Sequence, residues 1–334
     1  MMNVEVTAAG DWFHGMVYAS VLAFWKWGPR FDMIILDDCP SPAPLLKLLF
    51  RTKIFFYCHF PYQLLIPLRS VREVLIFIEM YLIEGWCMKF CDFIAVNSKF
   101  TRCKVQHFLP SLSKRNCSIL YPTISADLDA CDRRSAVDIV PNNKVMFLSL
   151  NRYWPGKKIE VAIQALSILK QKLQRLQWMN IELVVAGSVE HRLSYCANYS
   201  KYLKRLSQSL GVSENVKFLE NISRAKKATL LAGCRALLYT APFEHFGIGP
   251  LEAMHFGKPV IAVDGCGINE TVLPNQTGVL VPFSPSAFAD AMASIIADDR
   301  LNKVCAARGR DWVNQNFGRD AFDKRLMRLL DLSS

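Results

Sequence analysis

The feature that most constrains this chain is a recurring unit: a short run of buried-type apolar residues, a glycine-bearing turn, and the start of a helix. Its clearest copy begins with Ala236-Leu237-Leu238-Tyr239-Thr240, short and rich enough in Leu and aromatic residues to be a buried strand. A loop opens at about Ala241. From Pro250 onward Leu251, Glu252, Ala253 and Met254 are good helix formers, and Gly257-Lys258-Pro259 supplies a stop. Val260–Val263, the turn Gly265-Cys266-Gly267 and the helix start at Ile268 repeat the pattern, and Gly278–Val281 is a further strand after a turn. Units of this kind, placed in series, build a parallel sheet covered by helices.

Between strand and helix lies Glu244-His245-Phe246-Gly247-Ile248-Gly249-Pro250-Leu251-Glu252. The first N–H groups of a helix have no intrahelical partner, and the helix dipole adds positive potential there, so an anion such as a phosphate is the natural guest. Gly247 and Gly249 let a ligand approach the backbone closely. Glu244 and Glu252 bracket that position. A carboxylate repels phosphate but binds hydroxyls, so the pair suits a ligand with a polyol at each end of a pyrophosphate, as in a nucleotide-sugar. Taken alone, two glutamates on a loop and a helix are more often simply solvated.

A second basic strand end sharpens the reading. Lys144–Leu150 is a strand pattern followed by Asn151, Arg152 and the pair Lys157-Lys158. Arg can fork onto phosphate oxygens and Lys adds a point charge, so this end suits a pyrophosphate clamp, although a basic helix entry on the surface is equally common.

In series, Glu-x7-Glu, Glu-Ala-Met-x-x-Gly-x-Pro-Val, Gly-x-Gly-x-x-Glu and Thr-Gly-x-Leu-Val resemble the donor-binding half of the retaining GT-B glycosyltransferases of family 4. Phe56–Pro61, Val96–Thr101, Leu120–Pro122 and Ser149–Tyr153 follow the same order as in one branch of it, the alpha-1,3/1,6-mannosyltransferases of dolichol-linked oligosaccharide synthesis. The resemblance implies an α/β chain with two Rossmann-like domains facing a cleft, the N-terminal one incomplete. Expected bounds are 1–122 for the acceptor-side domain, 123–143 for a linker, 144–317 for the donor domain, and 318–334 for a helix returning to the first.

The implied reaction moves mannose, with retention, from GDP-mannose to a dolichyl-pyrophosphate-linked Man-GlcNAc2 acceptor. Expected catalytic residues are His59, Glu244, Arg152 and Lys157. Arg152 and Lys157 match the Arg and, five positions on, the Lys that the family places on the donor pyrophosphate. The expected donor site adds Gly187, Ile222, His245, Phe246, Gly247, Ile248 and Gly249, with Glu244 on sugar hydroxyls and Glu252 on the ribose. No cofactor or metal is expected. Implied partners are GDP-mannose, the lipid-pyrophosphate-linked oligosaccharide, a membrane surface and other early mannosyltransferases, at the cytosolic face of the endoplasmic reticulum membrane. Two alternatives stay open: a shortened, inactive paralogue that binds GDP-mannose or a partner, and another family-4 glycosyltransferase.

Bulk properties agree with a two-domain globular chain. With 334 residues, 51% hydrophobic, it has ample core, which excludes collagenous and disordered classes. The net charge of +11 arises from no single tract, and no basic run interleaved with aromatics marks a nucleic-acid interface. Nucleotide and lipid phosphates account for it equally well. The 11 cysteines form no Cys-x-x-Cys pair, and Cys87 with Cys91 reads as a half-buried thiol pair at helical spacing.

The opening is unusual for the family. Met1–Asp11 offers no first strand and no glycine-rich turn, so about one strand-helix-strand unit of ~30 residues is expected to be missing. Met16–Trp27 reads as a buried or in-plane membrane helix, and Leu64–Lys89 as an amphipathic helical pair or a surface that meets lipid. Phe31–Asp37, Lys53–Cys58, Asp92–Asn97 and Cys117–Tyr121 are strand patterns, with Ser98 as N-cap of a helix to Phe108. His59 follows the second strand, at the end where open α/β sheets hold ligands. Where family members carry Asp after His-Phe-Pro, this chain has Tyr62.

Overall fold

The computed structural model describes residues 32–331 apart from 51, 62–63, 65–69, 110–111, 113–114, 116, 126–127 and 129–143. Tyr62, Met16–Trp27 and most of the expected linker lie outside the described residues. The chain divides into two compact units, Met1–Tyr121 with Leu326–Ser334, and Pro122–Arg325.

The first unit is built on four parallel strands in the order β1 (Met33–Asp37), β2 (Lys53–Cys58), β3 (Phe93–Val96) and β4 (Cys117–Ile119). Strand β2 is interior and hydrophobic on both faces, with Ile54, Phe55, Phe56 and Cys58 buried, as parallel strands must be. Helices Ala43–Phe50, Val71–Cys87 and Lys99–Phe108 supply Leu46, Phe50, Met88 and Val105 to the same core, with Met88 in the turn after the second helix. Ser98 caps the third as expected, its side chain accepting from the Thr101 N–H at 3.0 Å. Register pairs Asp37 with Tyr57, so the carboxyl ends of β1 and β2 finish side by side.

Among the described residues the Leu64–Lys89 stretch holds one long helix rather than an expected pair. Val71, Val74, Leu75, Ile78, Leu82 and Trp86 are all exposed on it. These positions recur at helical spacing and so form one apolar stripe. Among the described residues no helix is long and apolar enough to cross a membrane.

The second unit has six parallel strands in the order β10 (Gly278–Val281), β9 (Val260–Val263), β8 (Ala236–Tyr239), β5 (Val145–Leu150), β6 (Ile181–Gly187), β7 (Val216–Glu220). The chain therefore builds outward from β5 through β6 to β7, then returns to the other side of β5 at β8. Between β5 and β8 the winding reverses. In open α/β sheets the crevice beyond the carboxyl ends at that reversal is where ligands sit.

Element boundaries follow local chemistry. The sequence from Glu160 to Leu176 reads as one amphipathic helix, but it breaks, with Glu160–Lys172 ending at an extended Leu173 and Arg175–Met179 restarting behind a Gln174/Gln177 capping box. Helix Ile248–His255 starts two residues before the expected Pro250, because Gly247 adopts φ 90° and turns the chain into it. Pro285 opens helix Pro285–Ala297, Arg300–Phe317 follows, and Arg319–Asp331 is the last described helix.

At the end of β6, Gly187 lies against the end of β5: a Cβ added there would fall 1.8 Å from the Asn151 carbonyl oxygen, and its φ is +155°. Backbone cannot yield as a flexible side chain would. We predict that Gly187→Ala destabilises the chain by at least about 1–3 kcal/mol, the usual cost of overpacking, measured as a lower urea midpoint with unchanged slope.

Candidate active site

The reversal point is lined by residues from two strand ends and one helix start of the second unit. Leu150 ends β5, and Asn151 to Lys158 run on into a short turn, Pro155–Lys157, ahead of helix Glu160–Lys172. Tyr239 ends β8 and leads to Glu244. The Thr240 hydroxyl donates to the Lys157 carbonyl at 2.9 Å, tying the two strand ends together.

At their junction the Lys157 ammonium donates to Glu244 Oε2 at 2.6 Å and to the Tyr239 hydroxyl oxygen at 3.3 Å. The Tyr239 hydroxyl in turn donates to the same Glu244 oxygen. Both charged side chains are largely desolvated, 17% exposed for Lys157 and 14% for Glu244. Burial works to raise the Glu244 carboxyl, but the Lys157 ammonium and the Tyr239 hydroxyl outweigh it and hold it below the usual value. A depressed carboxylate stabilises the fold at pH above its ordinary range and loses that contribution as pH falls through the depressed value. Burial pushes the Tyr239 phenol far upward, so it remains a donor.

Arg152 is exposed beside this set. Helix Ile248–His255 points its N-terminus here: a Cβ on Gly249 would lie 3.3 Å from the Tyr239 ring and 3.7 Å from the Leu150 carbonyl oxygen. The two glycine-bearing turns also interlock. Gly267 donates its N–H to the Glu244 carbonyl at 2.9 Å, and a Cβ on it would fall 1.9 Å from the His245 carbonyl oxygen. The repeat seen in sequence thus brings its second copy up against the first.

The other expected donor residues take different places. Phe246 is 3% exposed and packs edge-on against Phe317, so a ligand contact at that position falls to its backbone. Ile248 is exposed, and burial holds the His245 imidazole below its usual value. Gly187 and Ile222 sit at the ends of β6 and β7, where Asn221 donates its N–H to the Gly187 carbonyl at 2.7 Å. Glu252, 7% exposed, accepts from Lys227 of helix Arg224–Gly233 at 2.6 Å. Burial nevertheless pushes the Glu252 carboxyl above its usual value against the pull of that ammonium.

In the first unit, His59 follows β2 directly, and its Nε2 lies 2.9 Å from Asp37 Oδ1 at the end of β1. Its ring stacks edge-on against Tyr57 at 4.9 Å. The hydrogen bond to Asp37 raises the imidazole above its ordinary value, against burial. Cys87 and Cys91 are both buried, with the Cys91 thiol donating to the Cys87 carbonyl at 3.9 Å, closer packing than the half-buried pair expected. Among the described residues no group of three or more His, Cys, Asp or Glu is placed to hold a metal ion.

Sequence reading missed Tyr239, Asp37 and Lys227. Tyr239 and Asp37 close strand patterns, a signal that was available. Lys227 lies in an ordinary basic helix start and carries none.

Residues 133–312 match the family described as glycosyl transferases group 1. The chain is 32% identical, over 97% of its length and 83% of the relative's, to the alpha-1,3/1,6-mannosyltransferase ALG2 of Mus musculus. The chain belongs to the group 1 glycosyltransferases.

ALG2 of Homo sapiens is likewise 32% identical over 98% of the chain and 83% of the relative. The Dictyostelium discoideum protein of that name is 34% identical over 90% of the chain and 75% of its own. Among solved structures, sucrose-phosphate synthase from Thermosynechococcus elongatus aligns with TM-score 0.78 at 21% identity, covering 96% of this chain and 78% of the other. WaaG, a glycosyltransferase involved in lipopolysaccharide biosynthesis, aligns with TM-score 0.69 at 18% identity, covering 98% and 85%. These likenesses are of fold, and the fold, with its two parallel-sheet α/β domains, is GT-B.

Because Asp37 raises His59, Asp37→Asn is expected to return the imidazole toward or below its ordinary value near 6.5. Proton NMR titration of the ring checks this; an unmoved titration midpoint would show that Asp37 does not hold the ring.

Proposed function

We propose that this glycosyltransferase moves mannose from GDP-mannose onto a dolichyl-pyrophosphate-linked Man-GlcNAc2 acceptor, forming an alpha-1,3 or alpha-1,6 bond with retention. The observation that carries the reading is the junction at the β5/β8 reversal. Cations, a hydroxyl-binding carboxylate and a helix N-terminus converge there, the complement of a sugar joined to a diphosphate. The identity of 32% with ALG2 over nearly the whole chain favours mannose transfer over another family-4 activity.

In this reading the bond from the sugar's anomeric carbon to the diphosphate oxygen breaks, and the acceptor hydroxyl bonds to the same face. The acceptor proton passes to the departing phosphate oxygen. Charge develops on the diphosphate, and Arg152, Lys157 and the N–H groups opening helix Ile248–His255 stabilise it; preorganised groups of this kind are a large catalytic term. Glu244 holds sugar hydroxyls and Glu252, kept in place by Lys227, holds the ribose. Neither carboxylate needs to protonate the leaving group, since a diphosphate leaves as an anion. His59, oriented by Asp37, serves the sugar and acceptor end. The reading asks for no metal or cofactor.

A lipid-linked acceptor requires the enzyme to work at a membrane surface, proposed as the cytosolic face of the endoplasmic reticulum beside other early mannosyltransferases. The apolar stripe on helix Val71–Cys87 supports that placement, since exposed contiguous apolar surface of this kind marks an interaction site. The chain's net charge of +11 adds attraction to anionic lipid.

The deciding experiment is transfer of labelled mannose from GDP-mannose to a Man-GlcNAc2-pyrophosphoryl lipid in liposomes. Linkage-specific product is expected from the native chain and none from Glu244→Ala; equal product from both would remove Glu244 from the site. Arg152→Ala should lose ~1.5–3 kcal/mol of charged hydrogen bonding to the leaving group, or roughly ten- to a hundredfold in kcat. In vesicle co-sedimentation, replacing Leu75, Ile78 and Leu82 together by Ser should reduce binding several-fold while leaving GDP-mannose binding unchanged.

A further inference from the structure

Glu244 and Lys157 are each assigned above to the donor, and they also hold one another. Their contact at 2.6 Å is closed by Tyr239, which touches both. The backbone carrying Lys157 is pinned by the Thr240 hydroxyl, so exchange of partners falls to the side chain. The Tyr239 ring, 5.5 Å from the ammonium, keeps it close to the site throughout. Tyr239 itself is buried and abuts Gly249, so it stays in place when Lys157 swings.

A sugar-bearing nucleoside diphosphate and a bare one act differently on such a set. The loaded donor draws Lys157 to its phosphates while its sugar hydroxyls donate to Glu244, so both charges keep partners. A bare nucleoside diphosphate draws Lys157 away and gives Glu244 nothing in return. A largely buried carboxylate then retains only the Tyr239 hydroxyl, and leaving a buried charge short of partners is costly.

Resting on the donor-site reading above, we infer that the Lys157–Glu244–Tyr239 set discriminates the sugar-loaded donor from the spent nucleoside diphosphate. When the sugar has been transferred, Glu244 loses its hydroxyl partners and takes Lys157 back, which loosens the leaving diphosphate. Affinity is thereby withheld from the product and kept for the substrate. The discrimination is read in binding of the two nucleotides, apart from the part Lys157 plays in the transfer step.

Isothermal titration of the full chain with GDP and with GDP-mannose tests this. Glu244→Gln keeps the shape of the side chain but frees Lys157, so GDP should bind about tenfold tighter, the scale of one charged hydrogen bond. GDP-mannose should bind no tighter, and the native preference for the loaded donor should shrink by that factor. Tyr239→Phe works the other way: it strips Glu244 of its remaining partner, so GDP should weaken while GDP-mannose holds, and the preference should widen. This second variant decides the matter if Glu244→Gln does not fold. An unchanged or weakened GDP affinity in Glu244→Gln, with the preference intact, would overturn the inference and leave Glu244 a simple sugar contact. Failure of the native chain to bind either nucleotide would overturn the donor-site reading itself.

Discussion

A buried charge needs a partner, and the second unit is arranged around meeting that need twice. Glu244 and Glu252 are both largely desolvated, and each is matched by one lysine at 2.6 Å. The balance nonetheless differs. Lys157 and Tyr239 together pull the Glu244 carboxyl below its usual value, whereas Lys227 alone leaves Glu252 above it. Two similar carboxylates are thus held in distinct electrostatic settings by the number of donors around them. A charged Glu244 is suited to accepting hydrogen bonds from hydroxyls, and it is the group that faces the junction of the two strand ends.

That junction exists because of the sheet's winding. Strands β5 and β8 lie side by side in the sheet but are separated in sequence by two strands and the helices between them. The return of the chain at β8 puts Tyr239 and Glu244 beside Lys157, more than eighty positions earlier. Close backbone approach then sets the shape: Gly187 against Asn151, and Gly267 against His245, allow strand ends and turns to meet without a Cβ between them. The first unit uses the same device on a smaller scale, where parallel register sets Asp37 next to Tyr57 and so brings the acid to His59.

Much of this architecture was legible in sequence. Alternating apolar runs and glycine turns announced parallel α/β units, and the strands came out within a residue or two at each end because a buried parallel strand is a short, continuous apolar run. Ser98 marked a helix start through well-understood capping chemistry, whereas the helix expected from Pro250 begins at Ile248 because the positive φ of Gly247 turns the chain earlier. Less legible was the break after Lys172, where a local capping box overrode an apolar pattern that read as one continuous helix. Phe246 lies within the expected donor stretch, yet its side chain packs on Phe317, seventy-one positions later, because only a distant helix could decide which way that ring turns.

By itself, the sequence determined that the chain would form two parallel α/β units, that a glycine loop would open a helix beneath an acid, and that Arg152 and Lys157 would follow a strand. These are local properties, set by periodicity, capping and the special conformations of glycine. Tertiary structure decided the rest: that Lys157 reaches Glu244 and not solvent, that Tyr239 completes the pair, that Lys227 answers Glu252, and that Asp37 holds His59. Each of these joins residues distant in sequence, and no local pattern encodes such a contact. They arise because a parallel sheet brings successive strand ends together, and because charges buried there are stable only when the fold supplies their partners.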